Sequence, residues 1–175
     1  MSEQVEALPA QAIASDSRTT ISWRDYLELT KPRVVALMIL TSVIGMLLAA
    51  PGVPGWGVLI WGNLGIALLA GAAAVVNHVV DQKIDTVMAR TRKRPVATGK
   101  IAPMDAFLCA ALLASVGMAV LLLQVNHLTA WLTLASLVGY AGVYTLFLKR
   151  ATPQNITIGG LAGAMPPLLG WTAVT

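Results

Sequence analysis

The sequence predicts an all-α fold, a polytopic transmembrane helical bundle with five spans. Three observations carry that prediction. Hydrophobic residues make up 57% of the chain and charged residues 11%, with a mean hydropathy of +0.73, beyond what a water-soluble domain carries. The apolar residues fall into five stretches, at about 34–50, 57–80, 105–124, 129–148 and 154–174, each near the ~20 residues a helix needs to cross a bilayer. None of them alternates polar with apolar positions, which argues against the strands of a lipid-facing barrel.

The elements follow in order. Residues 1–22 lack an apolar signal core and are expected to form a disordered cytoplasmic tail rather than a signal peptide. Trp23, Tyr26, Leu27 and Leu29 interleave with Arg24, Asp25 and Glu28, the pattern of a short helix lying in the membrane interface. Span one is short, and it has room to run back through Pro32 and Arg33, whose side chain can snorkel to water. Span three holds Cys109, the only cysteine. A lone cysteine excludes an intrachain disulfide and any multi-cysteine metal site, and it reads as a small apolar filler. Span four carries Tyr140 and Tyr144 four residues apart. An aromatic face can stabilise a cation, though packing is the commoner use of such a pair. Span five contains Gly159 and Gly163, spaced for close helix packing, and Pro166–Pro167, expected to kink it. The chain stops at Thr175, at the end of span five and with no polar tail after Trp171, which suggests that residues 23–175 are the N-terminal part of a longer membrane domain.

Basic residues orient the bundle. Arg18, Arg24, Lys31 and Arg33 precede span one, Lys83 to Lys100 separate spans two and three, and Lys149 and Arg150 follow span four. The intervening breaks at 51–56 and 124–128 carry no Lys or Arg. The positive-inside rule places the N-terminus and the Asp81–Lys100 loop in the cytoplasm. That also accounts for the net charge of +4 without a nucleic-acid partner.

No charged residue occurs from Val34 to Val80; then Asp81 and Asp85 appear, followed by Arg90, Arg92, Lys93 and Arg94. Carboxylates are costly beside lipid and mark functional sites by default. On a helix Asn77, Asp81 and Asp85 project from nearly one face, about 6 Å apart along the axis. Such oxygens suit Mg²⁺, which commonly takes one or two carboxylates with substrate phosphate and water. Equally, Lys83 and the arginines could simply neutralise a solvated loop, and the spacing leaves both readings open. Arg92 and Lys93 stay unassigned, as do His78 and His127. A cation transporter is a competing class, but transporter sites tend to lie at mid-bilayer rather than at a helix end.

Flanking residues narrow the choice. The stretch Asn77-His-Val-Val-Asp81-Gln-Lys-Ile-Asp85, continuing through Arg90 and Arg94-Pro95 to Thr98-Gly99-Lys100, resembles the first Asp-rich motif of the UbiA-type intramembrane prenyltransferases. Its wording is most similar to the haem-farnesylating branch. Tyr26 to Arg33, and Asn155 to Trp171 with its paired glycines and prolines, agree with it. The resemblance implies a nine-helix fold around a central cavity and a bacterial inner-membrane location. It also implies farnesyl diphosphate and haem b as substrates, with haem O as product. It makes Asp81, Asp85 and Asn77 Mg²⁺ ligands, and Arg90, Arg94 and, more weakly, Lys100 diphosphate contacts. Tyr140 and Tyr144 become candidates for stabilising the allylic cation, and haem A synthase or oxidase-assembly proteins become possible partners. A second Asp-rich motif is expected beyond span five; after Asp85 this chain's only acidic residue is Asp105, so the chain alone is expected to be inactive. An aromatic, quinone- or chlorophyll-type acceptor is the alternative within the same family.

Overall fold

The computed structural model describes residues 21–148 and 155–175. The expected tail therefore lies outside the described residues except for Ile21 and Ser22, and Lys149 and Arg150 lie outside them too. Among the described residues every regular element is helical: α1 (Trp23–Leu29), α2 (Pro32–Ala49), α3 (Trp56–Val80), α4 (Gln82–Asp85), α5 (Pro103–Gln124), α6 (His127–Val138) with a π-helical continuation (Gly139–Leu148), and α7 (Asn155–Val174). Of these, α2, α3 and α5 are each long and apolar enough to cross a membrane.

Ser22 is a helix cap rather than tail. Its backbone N–H donates to Asp25 Oδ2 at 2.7 Å, and its hydroxyl accepts from the Arg24 N–H at 3.4 Å. This capping box satisfies donors that the first turn of α1 leaves open. Leu29 at the far end is fully buried while Trp23 and Leu27 are exposed, the division of an interfacial helix. Lys31 then adopts φ 51 and ψ 61, and Pro32 starts α2 with its φ already suited to a helix.

Helix α3 is the centre of the bundle, and its small residues let neighbours approach. Gly65 faces Leu121 and the Gly117 backbone on α5, while Gly117 faces Leu68, Leu69 and the Gly65 backbone. This antiparallel contact is of the kind that substitutes for a hydrophobic driving force between helices in lipid. Helix α7 crosses α2, with Gly45 against the Pro167 backbone and Gly170 against the Ser42 backbone. Gly163, by contrast, has nothing within 4 Å of the place a Cβ would take. Of the expected Gly159–Gly163 packing face, Gly163 makes no such contact and the surroundings of Gly159 lie outside the described residues; the close approach of α7 to α2 is made at Gly45 and Gly170. The helix also continues through Pro166 and Pro167, and Pro166 is fully buried.

Asn126 joins the ends of two spans. Its side chain accepts from the Thr129 N–H at 2.8 Å and donates to the Thr172 carbonyl at 2.8 Å, and the Thr129 and Thr172 hydroxyls lie 3.0 Å apart. The start of α6 and the finish of α7 therefore share one end of the bundle. Trp56, Trp131 and Trp171 are exposed near the helix ends expected on the outer side, as aromatic residues of a membrane interface are.

Span four departs from the expected single α-helix. After Val138 it becomes π-helical, and the Thr145 hydroxyl donates to the Tyr140 carbonyl five residues back, at 2.7 Å. Hydropathy is the same for either winding, so the sequence does not reveal it. Single π turns are frequent at functional sites.

The basic loop after α4 is packed rather than merely solvated. Val96 and Ile101 are fully buried in a cluster with Leu29, Ala72, Val75, Ala106 and Ala110. Gln82 Nε2 donates to the Val96 carbonyl at 3.2 Å, and the Ile101 N–H donates to the Pro95 carbonyl at 3.1 Å. Gly99 turns the loop at φ +73, a conformation that penalises any Cβ. Lys100 Nζ then donates to Asp25 on α1 at 2.8 Å. The Lys100 bond first, and the Ser22 N–H second, hold the Asp25 carboxyl below its ordinary 3.8. A carboxyl lowered in the folded state stabilises the fold above its unfolded value and loses that contribution as pH falls through the folded one. We expect α1 to loosen only below pH 3.8, read as an acid transition in Trp23 fluorescence in a single-tryptophan background. Asp25→Asn should remove that transition.

Candidate functional site

Helix α3 ends at Val80, Asp81 serves as its C-cap, and α4 resumes at Gln82. The helix is thus formally interrupted where the sequence reading had one continuous face. The face survives because the spanning bonds remain: Asp81 N–H to the Asn77 carbonyl at 3.0 Å, and Asp85 N–H to the Asp81 carbonyl at 2.8 Å. Asn77, Asp81 and Asp85 are all buried, at 7%, 2% and 4% exposure. Buried carboxylates require nearby positive charge or donors, and both are present.

With its amide turned to satisfy its neighbours, Asn77 donates to Asp81 Oδ2 at 2.9 Å and accepts from Lys31 Nζ at 3.0 Å. Arg94 donates to Asp85 Oδ2 at 2.7 Å. The Thr91 hydroxyl, also buried, reaches the Asp85 carbonyl at 3.4 Å. The structure keeps both open readings in view: Asn77, Asp81 and Asp85 share one buried face, and a loop arginine and an N-terminal lysine supply countercharge. Among the described residues no group of three or more His, Cys, Asp and Glu side chains converges on one point, so this chain offers two carboxylates and an amide.

The other candidates separate. Arg90 is exposed, with no ion pair among the described residues. Lys100 is engaged by Asp25 and makes no described contact with the acidic face, so its observed role is to hold α1 to the loop. Tyr140 and Tyr144 stack with ring centroids 5.5 Å apart and planes within 14°. His78 is buried at 3% exposure, and neither ring nitrogen has a hydrogen-bond partner among the described residues. His127 begins α6, expected on the opposite side of the membrane.

A cavity of about 450 Å³ lies between α2, α3, α6 with its continuation, and α7, within the ~300–1,000 Å³ of small-molecule sites. Met38, Ile66, Leu69, Leu137 and Leu169 line it, together with Tyr140 and Lys31. Lys31 therefore links the apolar chamber to the Asn77–Asp81 pair. The sequence reading used Lys31 for topology and within the Tyr26–Arg33 resemblance, and gave it no role at the site. Its available signal was the Lys-Pro pair placed at the very start of an apolar run.

Residues 38–175 match the UbiA prenyltransferase family. The chain belongs to that family. Among curated relatives of this UbiA member, the protoheme IX farnesyltransferase of Marinobacter nauticus is 84% identical over 171 residues, 98% of this chain and 56% of that protein. The protoheme IX farnesyltransferase of Saccharophagus degradans is 71% identical over 153 residues, covering 87% and 50%. The chain thus spans about half the length of the curated relatives it matches. Its fold is similar to a UbiA homolog from Archaeoglobus fulgidus solved with GPP and Mg²⁺, with a TM-score of 0.67 at 17% identity, covering 85% of this chain and 52% of that one.

Proposed function

We propose that this UbiA member, at the full length of its relatives, transfers the farnesyl group of farnesyl diphosphate to a vinyl group of haem b, giving haem O and diphosphate. The observation that carries the prenyl-diphosphate half is the junction of an apolar cavity with a buried acid–amide–ammonium cluster at Lys31. An amphiphile with a hydrocarbon tail and a polyanionic head matches both sides of that junction. The acceptor rests on the relatives, named as protoheme IX farnesyltransferases at 84% and 71% identity.

The donor set fits Mg²⁺: two carboxylates and an amide are hard oxygen ligands, and the Archaeoglobus homolog was solved with that ion. Asp81, Asp85 and Asn77 would hold it on this half of the protein. Bound Mg²⁺ would stabilise the charge of the departing diphosphate as a Lewis acid. Arg94, and Arg90 from the exposed part of the loop, add cations suited to phosphate oxygens. The C1–O bond of the farnesyl group breaks with its electron pair leaving on diphosphate. The haem vinyl group bonds to C1, and water adds to the resulting cation and loses a proton. The apolar wall excludes competing water from the allylic cation, and Tyr140 offers it an aromatic face. The site is placed at the cytoplasmic end of α3 in a bacterial inner membrane, with the N-terminus cytoplasmic, so that a water-soluble head can enter while its tail stays in lipid.

The test is reconstitution of the full-length protein with farnesyl diphosphate, haem b and Mg²⁺, with mass spectrometry of extracted haems. Haem O formation is expected. Inert haem together with prenylation of an aromatic acid would replace the acceptor and keep the rest.

A further inference from the structure

We propose that Lys31 is the specificity-determining residue for the diphosphate head, receiving it at the neck between an open groove and the apolar cavity. This rests on the prenyl-diphosphate reading above. Three independent observations converge on the residue.

The first is backbone. Lys31 is the only non-glycine residue with positive φ among the described residues, at φ 51. The left-handed region is unfavourable for a side chain with a Cβ, and a following proline restricts the residue further. The local bonds hold it there nonetheless: Lys31 N–H donates to the Glu28 carbonyl at 3.1 Å, and the Lys31 carbonyl accepts from Val34 N–H at 2.9 Å and Val35 N–H at 3.1 Å. Strain of this kind persists where its surroundings over-determine it, and functional sites are where it collects.

The second is the partner. The ammonium lies 3.0 Å from the Asn77 amide oxygen, an oxygen of the same set that would bind a divalent cation. An ammonium and a metal ion compete for those oxygens. A head group arriving with its metal would displace Lys31 from Asn77 and offer it phosphate oxygen in exchange. A compact ammonium on a flexible stem suits such a change of partner.

The third is position. A groove between α1 and the start of α2, lined by Trp23, Arg24, Leu27, Glu28 and Arg33, shares Lys31 and Val34 with the cavity. Trp23 and Leu27 are exposed in it, and Arg24 stacks over the Trp23 ring, 5.8 Å from its centroid. A prenyl diphosphate moving from groove to cavity meets Arg24 and Arg33 beside a single carboxylate, Glu28, on the rim, then the Lys31 ammonium at the neck, and hydrocarbon beyond.

The experiment compares two ligands of the full-length protein, farnesyl diphosphate with Mg²⁺ and uncharged farnesol, by equilibrium binding. Lys31→Asn is the informative variant, because asparagine tolerates the left-handed region and removes the cation while keeping a polar side chain. It should weaken farnesyl diphosphate binding by about tenfold or more, as loss of a charge-assisted bond does, and leave farnesol within about twofold. Lys31→Arg should bring the diphosphate affinity back to within about threefold of the unsubstituted protein, since the charge is kept. An unchanged diphosphate affinity in Lys31→Asn, an equal loss for both ligands, or no recovery with arginine overturns the assignment. If the unsubstituted protein does not prefer farnesyl diphosphate to farnesol, the prenyl-diphosphate reading itself fails.

Discussion

In the full-length protein, Asp81→Asn and Asp85→Asn are each expected to lower haem O formation by at least about 100-fold. Losing an outer-shell partner of a metal site already costs about 10- to 100-fold, and here a ligand itself is neutralised. The two variants should differ in stability. The buried side chain of Asp85 pairs with the partly buried side chain of Arg94 at 2.7 Å. Removing one member of a mostly buried pair is costly, on the order of 3 kcal/mol, because the other charge is left behind. Replacing both members with neutral groups is often nearly neutral. Asp85→Asn combined with Arg94→Met should therefore recover most of the thermal stability lost by Asp85→Asn and none of the haem O. Recovery of both would make Asp85 a structural counterion only. Unchanged haem O in both single variants would sink the metal-site reading.

The fold was largely legible, for a physical reason: in lipid, every backbone group must be satisfied within the helix, so long apolar runs have one outcome. The start of α2 at Pro32, the interfacial α1 and the paired acidic residues at the end of α3 all followed from that. Three features did not. The π winding after Val138 leaves hydropathy unchanged. The packing glycines could not be chosen by spacing, since Gly163 has the spacing while Gly45 and Gly170 make the contacts; which glycine faces a neighbour depends on helix rotation. At the site, Asn77, Asp81, Asp85 and Arg94 were singled out and lie together, whereas the contact of Lys31 with Asn77 and that of Lys100 with Asp25 were not foreseen. Both are basic residues at a membrane edge, where the positive-inside rule already accounts for them and hides any further role. What distinguishes them is tertiary: Lys31 reaches a span 46 residues away in sequence, at Asn77, and Lys100 reaches Asp25, 75 residues back.

Gly170→Ala is expected to disrupt the bundle although it adds one methyl group. A Cβ at Gly170 would fall on the Ser42 carbonyl, with the Ser42 Cα 3.1 Å away, and a Cβ at Gly45 would meet the Pro167 backbone in the same manner. Both obstacles are backbone, so no rotamer change relieves them and α2 and α7 must move apart. Forcing a methyl into a close-packed contact costs about 1–3 kcal/mol and occasionally more, and between helices in lipid there is no hydrophobic gain to offset lost packing. The same movement would deform the cavity, which takes Met38 and Thr41 from α2 and Pro166 and Leu169 from α7. Gly170→Ala and Gly45→Ala should each lower the thermal midpoint in detergent and weaken binding of farnesol and farnesyl diphosphate together. Gly163→Ala is the control: with open space around it and the better helix propensity of alanine, it should leave the midpoint unchanged or raise it. Equal stability across all three variants would show that α2 and α7 do not meet backbone to backbone.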